Sequence, residues 1–168
     1  MASSPSHLRL TVPAVAIRRL DLSPLEPLMQ RPLPQLLPLA GLVELHLEWP
    51  RPAEDPRELS EIPELRLWSL RADALLPWLT LLLERSGGQL TRHVAMLLPH
   101  GFERQEGIRF APESLDLWIS HRLFQLDAQA VEASLNCRAG LGQMAAVLGF
   151  ELDPRFWDSL PPAGATDG

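Results

Sequence analysis

Residues 43–49 read VELHLEW. In an extended chain Val43, Leu45, Leu47 and Trp49 fall on one side and Glu44, His46 and Glu48 on the other, the period of two that marks a half-buried strand. Upstream, HLRLTV at 7–12 alternates in the same way, with Leu8, Leu10 and Val12 on one face, and reads as a first strand. Downstream, LRLWSLR at 65–71 is apolar on both faces and reads as a central strand. Beside 43–49 it would set Arg66 and Arg71 across from Glu44 or Glu48. EGIRF at 106–110 is short and strand-like.

Around these segments the punctuation is heavy. There are 17 prolines, about twice the usual share. Pro24, Pro27, Pro32, Pro34 and Pro38 exclude a long helix there, because each removes a backbone donor and clashes with the preceding turn. Helical turns are expected around 14–20 and 34–40. In EDPRELSEIPE, Asp55 is placed to cap a helical turn with Pro56 first and Glu58 third, and Ile62-Pro63 to end it. One helix should run from near Pro77 to Ser86-Gly87-Gly88, and a second, QLTRHVAML, puts Leu90, Val94 and Leu97 on one face and ends at Pro99. Pro112-Glu113 opens a long helix carrying Leu115, Ile119, Leu123, Leu126 and Ala130. Leu141, Met144, Ala145 and Leu148 mark another that Gly149 ends, and Asp153-Pro154 starts a last short one. The expected fold is α+β: a small, mostly antiparallel sheet packed against several helices in a single domain over 7–160, with a disordered N-terminus at 1–6 and a flexible tail at 161–168.

Composition narrows the chemistry. A chain of 168 residues fits one domain that buries roughly 70% of its unfolded surface. The net charge of -6 opposes non-specific nucleic-acid binding, which needs a cationic surface. All 15 basic residues are arginine and tyrosine is absent, so Schiff-base and phosphate-loop lysines and a tyrosine acid are excluded. Cys137 is the only cysteine; one thiol forms no internal disulfide and holds no iron–sulfur cluster. The longest uncharged apolar run, ALLPWLTLLL at 74–83, is about half of the roughly 20 residues a membrane span needs. MASSPS is serine-rich like a transit peptide, but the strand pattern starting at His7 leaves no room for one, and the chain reads as cytosolic.

Among sites, His93, His100, Glu103 and Glu106 form the densest set of metal-ligand types, and a small metal-dependent enzyme using His93, His100 and Glu106 is the alternative function. Pro99 interrupts the helix between the two histidines, so convergence is not encoded locally. Glu103/Glu106 and Glu58/Glu61 are the carboxylate pairs, but they alternate with arginines, the pattern of an ion-paired surface. No G-x-S-x-G and no phosphate-loop glycine pattern occurs. His121 falls on the polar stripe of its helix. What remains is interaction: DPRELSEIPELR alternates charges with Leu59, Ile62 and Leu65, arginine favours bidentate contacts with carboxylates, and Trp68, Trp78, Trp118 and Phe102 are aromatic candidates, as anchors or as core.

Three stretches, LDLSP (20–24), DPRELSEIPELRLW (55–68) and PWLTLLLERSGGQLTRHVAMLLPHGFERQEGIRFAPESLDLWISHRLF (77–124), resemble the chlororespiratory reduction 6 family of cyanobacteria and chloroplasts. The resemblance covers roughly 8–157. It departs at Ala111, where an asparagine helix cap is expected, and at Ser60, where proline is commoner. It implies a non-enzymatic assembly factor, acting in the cyanobacterial cytosol, for the photosynthetic NAD(P)H-dehydrogenase-like complex of cyclic electron flow. It further implies an escort for peripheral-arm subunit I, which carries two iron–sulfur clusters, without a cofactor or a catalytic residue of its own. Asp55, Arg57, Glu58, Glu61, Glu64, Arg66, Arg92, His93, His100, Glu106 and Arg109 match the family motif and are the candidate partner-binding residues.

Overall fold

The computed structural model describes residues 6–160; residues 1–5 and 161–168, within the two expected tails, lie outside the described residues. The chain divides into two compact units, residues up to 100 and residues from 101 on.

The first unit opens with β1 (Leu8–Pro13), followed by α1 (Ala14–Arg19), α2 (Glu26–Met29) and α3 (Leu33–Leu36), with single 3-10 turns at Ser23–Leu25 and Leu37–Leu39. The prolines chop this stretch into one-turn pieces, as their density requires. β2 (Val43–Glu48) then pairs with β1, Leu8 against Val43, Leu10 against Leu45 and Val12 against Leu47. Leu10 and Val12 are buried, while Arg9, Thr11, Glu44 and His46 are not. The alternation is therefore read as expected; the direction is not, because β1 and β2 are parallel. Parallel neighbours need a crossover, and the short helices of residues 14–42 supply it.

The expectation of a strand at 65–71 is corrected. Those residues lie in α4 (Pro63–Leu75), which Pro63 opens at its first position after extended Ile62. Ile62, Leu65, Trp68, Ala72 and Leu76 are buried at intervals of three and four, while Leu67 and Leu70 are exposed. Those two exposed leucines gave the segment an apolar look on both faces. With a helix here, the proposed cross-strand pairs of Arg66 and Arg71 with Glu44 or Glu48 fall away. Asp55 also caps no helix; only a 3-10 turn, Leu59–Glu61, precedes α4.

After α5 (Leu79–Leu83) comes α6 (Gly87–Ala95). Gly87 and Gly88 form its first turn rather than ending the previous helix, because Ser86 stands at the N-cap and accepts a hydrogen bond from the Gln89 amide. Trp68 and Trp78 are core, with the Trp68 indole donating to the Asp21 carbonyl at 3.1 Å. Gly41, just before β2, needs its freedom: its φ is +73° and its amide bonds the Leu82 carbonyl.

The second unit contains a hairpin, β3 (His100–Glu103, whose first residue ends the first unit) and β4 (Gly107–Phe110). A three-residue turn can join only antiparallel strands. It is followed by α7 (Ser114–Glu132), α8 (Arg138–Val147) and a 3-10 segment, Pro154–Ser159. The long periodicity was legible: Ile119, Leu123, Leu126 and Ala130 are buried on α7, as are Leu141, Met144 and Ala145 on α8. Each leucine, isoleucine and methionine among them contributes roughly 1.5–3 kcal/mol by leaving water. At the start of α7 no side chain caps the helix; the Ser114 hydroxyl instead donates to the Ala111 carbonyl at 2.7 Å. The fold class is thus a mixture of helix and strand, with two two-stranded sheets of opposite kinds among the described residues.

Candidate functional site

Glu58, Ser60, Glu61 and Arg66 gather around one buried imidazole. The side chain of His100 has no exposed surface. Its Nδ1 lies 3.0 Å from the Leu98 carbonyl oxygen, which can only accept, so Nδ1 carries hydrogen. Nε2 meets the Ser60 hydroxyl at 2.9 Å, a Glu61 carboxylate oxygen at 3.3 Å and a Glu58 oxygen at 3.8 Å. Arg66 Nη2 approaches the ring at 3.5 Å. Glu58 and Glu61 keep 42% and 44% of their side chains exposed. His100 therefore pins the 58–61 turn from inside while the two carboxylates stay available outside. Ser60 is buried and bonds His100 directly.

A second knot precedes the first. Asp55 accepts the Arg57 amide at 3.0 Å and the Arg57 guanidinium at 2.8–3.1 Å through both oxygens. The guanidinium bond, then the amide bond, holds the Asp55 carboxyl down at about 2, and Asp55 raises the Arg57 guanidinium in return. Arg51 donates to the Asp55 carbonyl at 2.9 Å. Asp55 is thereby an Asx-type turn former, with Arg57 displayed at 63% side-chain exposure. Glu64 is exposed on α4.

Arg92 and His93 belong elsewhere in the same unit. They line a cavity of about 620 Å³ together with β2 residues 43–47, Trp68, Leu79 and Glu84. His93 Nε2 is buried and has no hydrogen-bond partner, and burial lowers the ring to about 4, so it is neutral. Burial also pushes the Glu84 carboxyl up. In the second unit Glu106 and Arg109 sit on the hairpin. Arg109 reaches Glu103 at 2.8 Å and Glu106 at 3.3 Å, all half or more exposed, beside the exposed ring of Phe102.

Sequence reasoning missed one polar cluster. Arg138 clamps the buried Asp127 through two bonds of 2.9 and 3.2 Å and stacks over Trp157 at 5.2 Å. An aspartate among the apolar positions of α7 was the available signal. Cys137 is half-buried, and its thiol is pushed up by burial and by Asp127, which keeps it from being a ready nucleophile. Among the described residues no group of three or more His, Cys, Asp or Glu is placed to hold a metal ion, and no helix is long and apolar enough to cross a membrane.

The site is thus a buried histidine beneath a displayed run of charges, in a protein of mixed helix and strand. The model of the Chlororespiratory reduction 6 family matches residues 12–159, and the chain belongs to that family. The family is linked to assembly of the NAD(P)H-dehydrogenase-like complex. No solved structure matches the chain.

Proposed function

We propose that this protein is a non-enzymatic assembly factor that binds the iron–sulfur peripheral-arm subunit I while the photosynthetic NAD(P)H-dehydrogenase-like complex is being built, in the cytosol and outside the membrane. Family membership over most of the chain carries the reading. The site supports it in kind: Arg57, Glu58, Glu61 and Glu64 project from a segment immobilised by Asp55 and His100, so little side-chain and loop entropy is left to lose on binding. Fixed charges of both signs set register and steer encounter more than they add affinity, which suits an escort that must let go. With one half-buried thiol held protonated, the chain acts on an iron–sulfur client by holding the polypeptide and not by holding a cluster.

The test is capture of purified subunit I by the purified chain, followed by analytical sedimentation. Arg57→Glu and Glu61→Arg together should weaken capture at least tenfold while the far-ultraviolet dichroism stays unchanged. Undiminished capture removes this surface from the reading; absence of any capture, apo or cluster-loaded, removes the client.

A further inference from the structure

β2 is an edge strand, and the phase of its pairing decides what that edge offers. Leu8 is aligned with Val43 and its amide donates to the Leu42 carbonyl at 2.8 Å. In a parallel ladder this hands the backbone groups of Glu44, His46 and Glu48 to β1 and turns those of Val43, Leu45 and Leu47 to the opposite edge. Among the described residues no strand pairs with that edge, and no other backbone bond to those three residues is made. An open edge of this kind is a template for another chain unless charge, proline or a covering element blunts it. None of the three residues is charged or proline, and α5, the helix packed against β2, meets this edge at Gly41, whose amide bonds the Leu82 carbonyl.

The space beside the edge is also prepared. The cavity of about 620 Å³ is lined by Leu45, Leu47, Leu59, Trp68 and Met96, with His93 among them. Leu45 and Leu47 are only half-buried and Leu59 is exposed. The buried His93 Nε2 without a partner is a polar atom that an apolar filling would leave unsatisfied, so a polar side chain on the occupant completes it. Charge sets the remaining chemistry: Glu44 and Glu48 stand on the solvent face of β2 and Glu84 on the cavity wall, against Arg92 and the Arg9 that faces Glu44 in register. Within a chain of net charge -6, the surplus is acidic.

We propose that an extended, basic segment of the client adds to β2 as a further strand, bonding Val43, Leu45 and Leu47 through its backbone and seating alternate apolar side chains in the cavity below. Main-chain pairing supplies affinity without demanding one sequence, and the pockets for alternate side chains supply selection. The inference rests on the client-binding reading and assigns it a second contact, separate from the 55–64 surface.

The probe is an acetylated ten-residue peptide alternating valine and arginine, added to the isotope-labelled full chain. The Val43, Leu45 and Leu47 amides, exchanging quickly in the free protein, should become protected. N-methylation of the peptide along one edge should weaken binding at least tenfold, and along the other edge hardly at all, a one-sided effect that side-chain docking alone cannot produce. The Val/Glu peptide, or the exposed-site variant Glu44→Arg/Glu48→Arg with the Val/Arg peptide, should bind several-fold less. Equal binding by both methylated forms overturns the proposal, as does failure of the Val/Arg peptide to bind. Protection already present in the dilute free chain shows the edge to be covered by the chain itself, and protection that grows with chain concentration assigns it to a second copy; either result also overturns it. If subunit I is still captured while the peptides fail, only the strand addition is lost. If the peptides bind as expected and subunit I does not, the client is wrong and the edge stands.

Discussion

Two histidines seven positions apart in sequence meet opposite fates inside the first unit. His100 is enclosed and both nitrogens of its ring are answered, Nδ1 by the Leu98 carbonyl and Nε2 by Ser60 and Glu61. His93 is enclosed beside a cavity, and its Nε2 is answered by nothing. Burial of a polar ring costs free energy in both places, and only the first recovers it within the chain. The satisfied histidine is therefore architecture; the orphaned one is a vacancy in the hydrogen-bonding scheme that a ligand group could fill.

The sharpest way to break this contrast is acid. The His93 ring is lowered from 6.5 to about 4 by desolvation, so between those values the unfolded chain takes up a proton that the folded chain refuses. Stability therefore rises with pH across that window and is lost as pH falls from about 6.5 toward 4, by up to about 3 kcal/mol. His93→Leu removes the titrating group at similar volume. Urea denaturation at pH 7.5 and pH 4.5 should show a smaller acid loss in the variant than in the parent. Parallel losses would mean that the ring is solvated, and the contrast with His100 would dissolve.

His100→Ala probes the other side of the comparison. It strips Ser60, Glu61 and the Leu98 carbonyl of a common partner inside the protein and leaves a void, at a cost of about 2–3 kcal/mol. The loss should appear in the denaturation midpoint, with hydrogen exchange speeding up over residues 58–61. A variant as stable as the parent would show that the 55–64 surface holds its shape without its internal peg.

How far the sequence disclosed this arrangement depended on range. Alternation revealed β1 and β2 because each residue's burial follows from its two neighbours, and the Ile119–Leu123–Leu126–Ala130 spacing revealed α7 for the same reason. At 65–71 that local rule failed. Exposed Leu67 and Leu70 masked the interval of three between Leu65 and Trp68. Strand direction was not legible, because the long connection over 14–42 permits the parallel pairing without dictating it. The His100 cluster was out of reach of any local rule. Its partners lie up to 42 positions upstream, at Glu58, Ser60 and Glu61, and only the family resemblance named both ends of the contact. It could not say that His100 would be inside and Arg57 outside.

Gly41 tests the approach to the orphaned side. It lines the cavity and leads into β2 with φ at +73°, and a Cβ there would overlap the Arg85 side chain, which donates to the Ala40 carbonyl at 2.6 and 2.8 Å. Arg85 is flexible enough to yield, so the backbone term dominates. Gly41→Ala should cost about 1–2 kcal/mol and broaden the resonances of Val43 and Leu45 more than those of residues 58–61. An effect spread equally over both regions would deny that the two histidine neighbourhoods behave as separate devices.

The smallest effect is expected where neither histidine reaches. Arg109 bridges Glu103 and Glu106 on the exposed hairpin of the second unit, and pairs of this kind contribute about 0–1 kcal/mol because water screens them and two long side chains must be held in place. Arg109→Gln should therefore leave the denaturation midpoint within experimental scatter, and raising salt should shift the parent and the variant alike. A side chain whose ion pairs do so little for its own fold is a candidate for partner contact, as proposed for this surface. Capture of subunit I measured on Arg109→Gln separates the two explanations. A drop without loss of stability places the hairpin in the client interface, whereas a drop in stability with capture intact returns Arg109 to the architecture and confines client contact to the first unit.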